Sequence, residues 1–264
     1  MTLRADLKGN TAIIGGCTKG IGKAIAEKFA ENGADLVLLA RNGDKLERLA
    51  ADLKNRFERQ VWIIVADFDV PDDVNQQVGE FLSTFKGTVD IIVNNVGGPM
   101  PTDVQDMTST EMLAVIQRHI ICSHTLAMHF LPSMKNNCYG RVINIVGTVY
   151  HTPYPGLALT SLRASEVSWS KALSIDVAEY GITVNNILPG PTDTDELEEI
   201  IKILALKKGQ SFEDFRASVI NSVPVKRFAG PEEIATAALY LASKDASFVT
   251  GTNLTVDGGF TPSI

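Results

Sequence analysis

The sequence predicts an α/β fold, a doubly wound parallel sheet of seven strands with helices on both faces. Two observations carry that prediction. Apolar runs of strand length alternate with stretches whose apolar residues recur three and four apart, along nearly all of the 264 residues. Such alternation is the mark of repeated βαβ units. The first run also opens into a glycine turn, Gly15-Gly16-Cys17-Thr18-Lys19-Gly20-Ile21-Gly22, which leads straight into a helical stretch. Glycines let a ligand approach the backbone there, and the unpaired N–H groups of a first helical turn favour an anion.

Strands are expected at Thr11–Ile14, Asp35–Ala40, Gln60–Ala66, Val89–Asn94, Gly140–Val146, Thr183–Leu188 and Asn253–Val256. Several are apolar throughout, as strands covered on both faces are. Helices are expected over 21–32, 43–57, 72–86, 109–135, 157–180 and 231–243. Connections are short and no Ser/Gly/Pro-rich linker divides the chain, so residues 1–264 read as one Rossmann-type domain. Two segments break the rhythm, the loop Thr148–Gly156 and the charged helical insertion Thr192–Val223. Both follow carboxyl ends of strands, where open parallel sheets bind ligands. They are the expected walls of a substrate pocket. The apolar residues Ile200, Ile201, Ile203, Leu204 and Leu206 in 192–223 suit an apolar or mixed small molecule, or simply a packed lid helix.

A hydrophobic content of 45% supports a substantial core, and a net charge of −7 argues against nucleic acid or an anionic membrane surface as partner. No apolar run is long enough to span a bilayer, and the opening residues carry no apolar export signal, so a cytoplasmic location is expected. Cys17, Cys122 and Cys138 have neither metal-ligand nor CxxC spacing; reduced thiols and no metal site are expected. Cys17 reads as a small filler of the turn rather than a reactive thiol.

The glycine turn points to a dinucleotide, with Gly16, Thr18, Gly20, Ile21 and Gly22 against its pyrophosphate. The second strand ends at Arg41, where a carboxylate would otherwise accept from the ribose of NAD, and Lys19 adds a second cation within the turn. Two positive charges suit a 2′-phosphate, so NADP(H) is preferred over NAD(H), unless both are solvated surface cations. Asp67, beside Phe68, follows the third strand and is placed either to accept from the adenine amino group or to close a turn ahead of Pro71.

Five motifs in order, Gly16-Cys17-Thr18-Lys19-Gly20-Ile21-Gly22, Asn94-Asn95-Val96-Gly97, Val142-Ile143-Asn144-Ile145, Gly181-Ile182-Thr183-Val184-Asn185 with Pro189-Gly190, and Thr250-Gly251 through Val256-Asp257-Gly258-Gly259, make the chain resemble the short-chain dehydrogenase/reductase family. The resemblance covers nearly the whole length. It implies a one-domain fold that moves a hydride between NAD(P) and a carbonyl or alcohol, commonly as a homo-tetramer or homo-dimer packed through a segment like Phe228 to Phe260. It implies further cofactor contacts from Asn95, Gly97, Pro189, Gly190 and Thr192. Family members carry a serine after the fifth strand, a YxxxK motif on the next helix and an asparagine on the preceding one. Here the serine position falls on Gly147, with Thr148 beside it, the tyrosine on Leu159, the lysine on Arg163 and the asparagine at or near His119. A rival register through Ala164-Ser165-Glu166 shortens a helix by three residues and still lacks the tyrosine, giving Leu162. Gly97-Gly98-Pro99 and the run Pro155 to Arg163 resemble a divergent subgroup with arginine in place of the lysine.

Arg163 retains the capacity to hold ribose hydroxyls and place a positive charge near the nicotinamide, or to pair as a half-buried helix arginine with a nearby acid. It stays charged and cannot relay a proton. Candidate donors are Tyr150, His151 and Tyr154 in the loop, with Tyr154 nearest the helix start, and His119; each is also readable as a packing or solvent-facing residue. The sequence thus supports an NADP(H)-dependent oxidoreductase with an atypical active site, and as alternative a cofactor-binding protein with little turnover, a sensor or inert subunit.

Overall fold

The computed structural model describes residues 5–148, 154 and 156–262. Its strands are β1 (Thr11–Gly15), β2 (Asp35–Ala40), β3 (Val61–Val65), β4 (Ile91–Asn94), β5 (Gly140–Ile145), β6 (Ile182–Pro189) and β7 (Asn253–Val256). They form one sheet in the order β3-β2-β1-β4-β5-β6-β7, with every neighbouring pair parallel. The order reverses direction between β1 and β4, which opens a crevice beyond their carboxyl ends.

The helices are α1 (Gly20–Glu31), α2 (Gly43–Phe57), α3 (Pro71–Thr84), α4 (Ser109–Ile116), α5 (Cys122–Asn136), α6 (Ala158–Ser161), α7 (Ala164–Val177), α8 (Asp195–Lys207), α9 (Phe212–Ser222) and α10 (Pro231–Ala242). Local chemistry starts several of them. Asn42, Thr194 and Ser211 accept from backbone N–H groups of the first turn, Thr108 and Glu111 close a capping box, and Pro71 and Pro231 stand in the first turns of α3 and α10.

Alternate residues of the same strand build opposite layers of core. Ile14, Leu36 and Leu38 pack with Ile25, Phe29 and Leu239 on one face of the sheet. Ile13, Val37 and Leu39 pack with Leu126, Phe130 and Leu173 on the other. The period of two therefore persists in strands that look uniformly apolar. A third, smaller cluster joins Ile201, Leu204 and Phe215 of α8 and α9 to Phe228, with Tyr154 and Leu157 packed against it.

Two expected helices are interrupted. The stretch expected as one helix over 109–135 is α4 and α5 joined by a π-helical turn, Gln117–Ile121. The stretch expected over 157–180 divides into α6 and α7 around Leu162 and Arg163 and ends in a short 3-10 turn, Ala178–Tyr180. The charged segment 192–223 folds as α8 and α9. Among the described residues no helix is long and apolar enough to cross a membrane.

Candidate functional site

A cleft of about 890 Å³ runs along the carboxyl ends of the strands, from the glycine turn after β1 to the underside of α8 and α9. The turn is built by close approach. Gly16 and Gly20 both have φ of +55°, and a Cβ on Gly16 would sit 2.5 Å from the Asn95 carbonyl oxygen. A Cβ on Gly22 would sit 2.5 Å from the Gly16 carbonyl oxygen. Asn95 Nδ2 donates to the carbonyls of Gly15 at 3.1 Å and Gly16 at 3.3 Å, so the strand after the switch point clamps the turn. Lys19 at the N-cap gives no side-chain cap to α1, and the first turn carries no acid. Its N–H groups are left for an anion.

Gly16, Thr18, Lys19, Gly20 and Ile21 line this end of the cleft, whereas Gly22 lies beneath it as a packing residue. Arg41, Asp67 and Phe68 line it beyond β2 and β3, and Asn95, Gly97, Pro189, Gly190 and Thr192 line it from β4 and β6. Asp67 Oδ1 accepts from the Asp69 N–H at 3.0 Å, the turn arrangement, while the residue still borders the cleft. Asn95 differs from expectation in one respect: its amide nitrogen is turned onto the glycine turn, so its side chain shapes the site. Thr192 Oγ1 donates to the Gly190 carbonyl at 3.0 Å. Cys17 is buried and packed, and burial pushes its thiol up to about 12, which removes thiolate chemistry from the turn.

Of the two roles expected for Arg163, its bonds describe the pairing with a nearby acid. Its guanidinium lies in the wall of the cleft, but its donors face protein. Nε and Nη2 donate to Glu166 Oε2 at 3.2 and 2.9 Å, Nη2 to the Ile145 carbonyl at 2.7 Å, and Nη1 to the Val146 carbonyl. Four of its five N–H groups are engaged. Glu166 is fully buried; burial raises its carboxyl above the ordinary range, with Arg163 pulling the other way. Arg163 therefore ties the start of α7 to the end of β5, and a hold on ribose hydroxyls is not the role its bonds describe.

His119 is corrected too. It is buried in the π-helical turn, it is not among the cleft-lining residues, and its Nε2 has no hydrogen-bond partner. Burial first, then the charges of Arg163 and Arg118, hold its pKa well below the ordinary histidine value. Burial thus disfavours its charged form, and it does not border the cleft. Tyr154 does line the cleft, with Lys208 Nζ 5.6 Å from its ring centre. Tyr150 and His151 lie outside the described residues. At the positions matched to the family serine and tyrosine, Gly147 has φ of +109° and Leu159 is buried. Thr148, beside Gly147, is buried yet borders the cleft.

Three contributors escaped the sequence reading. Arg118, also on the π-helical turn, lines the cleft and donates through Nε to Asp69 Oδ1 at 2.6 Å. Asp69 stands between Arg118 and Arg41, whose Nη1 is 3.8 Å from Oδ2. Glu196 of α8 accepts the Gly98 N–H at 2.8 Å, joining α8 to the loop after β4. No spacing in the sequence signals these pairs; only the fold brings them together.

A doubly wound sheet with an uncapped, glycine-lined helix N-terminus at its switch point defines the dinucleotide-binding Rossmann class. The comparisons narrow it. Residues 16–261 match the family described as Enoyl-(Acyl carrier protein) reductase. The NADPH-dependent reductase BacG of Bacillus subtilis is 31% identical over 258 residues, spanning 96% of this chain and 98% of that protein. The 3-oxoacyl-(acyl-carrier-protein) reductase FabG of Chlamydia trachomatis is 34% identical over 254 residues, with the same coverage, 96% and 98%. The structure of L-sorbose reductase from Gluconobacter frateurii complexed with NADPH and L-sorbose is 30% identical, with a TM-score of 0.91, covering 99% of this chain and 100% of that one. The chain belongs to the short-chain dehydrogenase/reductase family of oxidoreductases.

Proposed function

We propose that this protein is an NADP(H)-dependent oxidoreductase that reduces a carbonyl, or oxidises the matching alcohol, in an active site lacking the family's serine, tyrosine and lysine. One observation carries the reading: the continuous cleft joins an anion-ready glycine turn to an apolar chamber beneath α8 and α9. The cofactor half fits the nucleotide. The α1 N–H groups are free for the pyrophosphate, and the Arg41 side chain, 73% exposed and held among the described residues only by a 3.8 Å contact with Asp69, would turn with Lys19 toward a 2′-phosphate. NADPH when bound supplies the hydride.

The chain's own residues position the carbonyl and provide its proton. Tyr154 borders the cleft and is the donor, its Oη giving a proton to the substrate oxygen. Thr148 Oγ1 orients that oxygen from the end of β5, which Arg163 and Glu166 hold in place. Segment 192–223 acts as the substrate lid, with the Glu196–Gly98 bond as its latch. The unit is the single domain 1–264. A second copy covers the fully exposed Phe248 near the edge strand β7, in a homo-dimer or homo-tetramer.

The test is NADPH oxidation against a panel of ketones by wild type, Tyr154→Phe and Thr148→Val. Tyr154→Phe is expected to lower kcat about 10²–10⁴-fold with NADPH affinity retained. Tight NADPH binding without oxidation of any carbonyl contradicts the reductase reading and leaves a cofactor-binding protein. Tyr154→Phe with wild-type kcat moves the donor elsewhere.

A further inference from the structure

We infer that the substrate of this cleft is an uncharged, largely apolar carbonyl compound, and that carbonyl compounds bearing a carboxylate are excluded. The inference rests on the oxidoreductase reading for the identity of the reacting group, but its charge argument comes from the lining of the chamber.

The chamber end is walled by Met100, Leu157, Leu197, Ile200, Leu204 and Phe215. The ionisable side chains that join them there are acids. Glu196 and Glu199, three residues apart and so on one face of α8, border the cleft, and Glu111 at the start of α4 borders it as well. Cations are committed elsewhere. Among the described residues the cleft is lined by Lys19, Arg41, Arg118 and Arg163. Lys19 and Arg41 belong to the glycine-turn end. Arg118 is bound by Asp69, and Arg163 by Glu166 and two carbonyls. None of the basic residues of 192–223 lines the cleft: Lys202 Nζ lies 5.7 Å from the Phe212 ring centre, Lys207 reaches the Pro101 carbonyl at 3.4 Å and Asp103 at 3.5 Å, and Arg216 reaches Asp193 at 3.8 Å. Lys208, exposed over the rings of Tyr154 and Phe215, is not a lining residue. Residues 149–153 and 155, outside the described set, contain no lysine or arginine, and His151 is the one basic residue among them.

A substrate carboxylate entering this chamber would leave water for an apolar wall, find no uncommitted cation among the described residues that line the chamber end, and meet carboxylates of like charge. Each of these disfavours it. A neutral ketone or aldehyde with an apolar tail gives up far less hydration on the same path and gains the burial of its tail. Glu199 is the residue best placed to enforce the discrimination, because Glu196 is already tied to the Gly98 N–H.

The test compares a medium-chain methyl ketone with the same ketone carrying a terminal carboxylate, and with the methyl ester of that acid as a size control. Binding is measured by calorimetry to the protein saturated with NADP+, and turnover is measured separately as NADPH oxidation. The ketone and the ester are expected to bind at least about tenfold more tightly than the acid. Glu199→Lys is expected to narrow that ratio. Equal binding of acid and ester, tighter binding of the acid, no binding of any of the three, or a ratio unmoved by Glu199→Lys overturns the inference. If the ketone and ester bind preferentially but NADPH is oxidised by neither, the oxidoreductase reading fails while the charge selection stands.

Discussion

Replacing Arg163 by methionine strips a buried carboxylate of its cation and two strand-end carbonyls of their donors. Breaking a buried pair by removing one partner costs about 3–5 kcal/mol, because the remaining charge is stranded. For a chain of this size that corresponds to a Tm roughly 6–20 °C lower. The loss depends on pH. In the variant Glu166 keeps its burial but loses the opposing pull of Arg163, so its folded-state pKa rises further above the ordinary 4.5. A carboxyl whose pKa is raised on folding costs nothing below the unfolded value. It destabilises increasingly as pH climbs from there to the folded value. The Arg163→Met penalty is therefore smallest at and below pH 4.5 and larger at higher pH. Adding Glu166→Gln removes the stranded charge and recovers at least about half of the loss. Urea unfolding followed by tryptophan fluorescence at several pH values, with NADPH titrated in parallel, checks this. A wild-type unfolding midpoint in Arg163→Met, together with a tenfold loss of NADPH affinity, would show that the guanidinium serves the nucleotide, and would refute the cross-link described by its bonds.

Three further outcomes are expected. Arg41→Ala weakens NADPH on the order of tenfold in a fluorescence titration and leaves NADH nearly unchanged; equal losses for both would remove Arg41 from the 2′-phosphate. At pH 8 iodoacetamide modifies Cys138, which is exposed, and spares Cys17 and Cys122, whose thiols are pushed up to about 12 chiefly by burial; labelling of either buried thiol as fast as Cys138, read by mass spectrometry, contradicts this. Glu196→Ala removes the lid's bond to Gly98 and speeds NADPH dissociation about 3–10-fold in stopped flow; an unchanged rate means the lid is closed by packing alone.

Periodicity made the sheet readable because each strand is a short apolar run between turn residues, and β2 and β7 occupy the residues expected of them. The glycine turn was equally legible, since only a strand-to-helix turn of that tightness needs glycine at 16 and 20. The π-helical turn was not. The apolar spacing of 109–135 continues through it, and a shift of hydrogen bonding by one residue leaves no trace in a pattern of period 3.6. That turn carries both Arg118, which lines the cleft, and His119, which is buried and does not, and a position matched by register alone does not say which way its side chain turns. The sequence left Arg163 two roles, a ribose contact or a pair with a nearby acid, and its bonds describe the second. Its partner is Glu166, three residues on, a pair open to any helix, and only burial shows that it is a cross-link. Glu196 and Gly98 are 98 residues apart, and nothing short of the fold joins them.

A reduced dinucleotide phosphate is expected across the mouth of the sheet, between the glycine turn and α8. A crystal structure of the protein grown with NADPH decides this. Expected there are the pyrophosphate on the backbone N–H groups at the start of α1, the 2′-phosphate beside Arg41, and the nicotinamide between Thr148 and Tyr154. Density for the nucleotide at another surface, or a nicotinamide turned away from the chamber beneath α8, would contradict it.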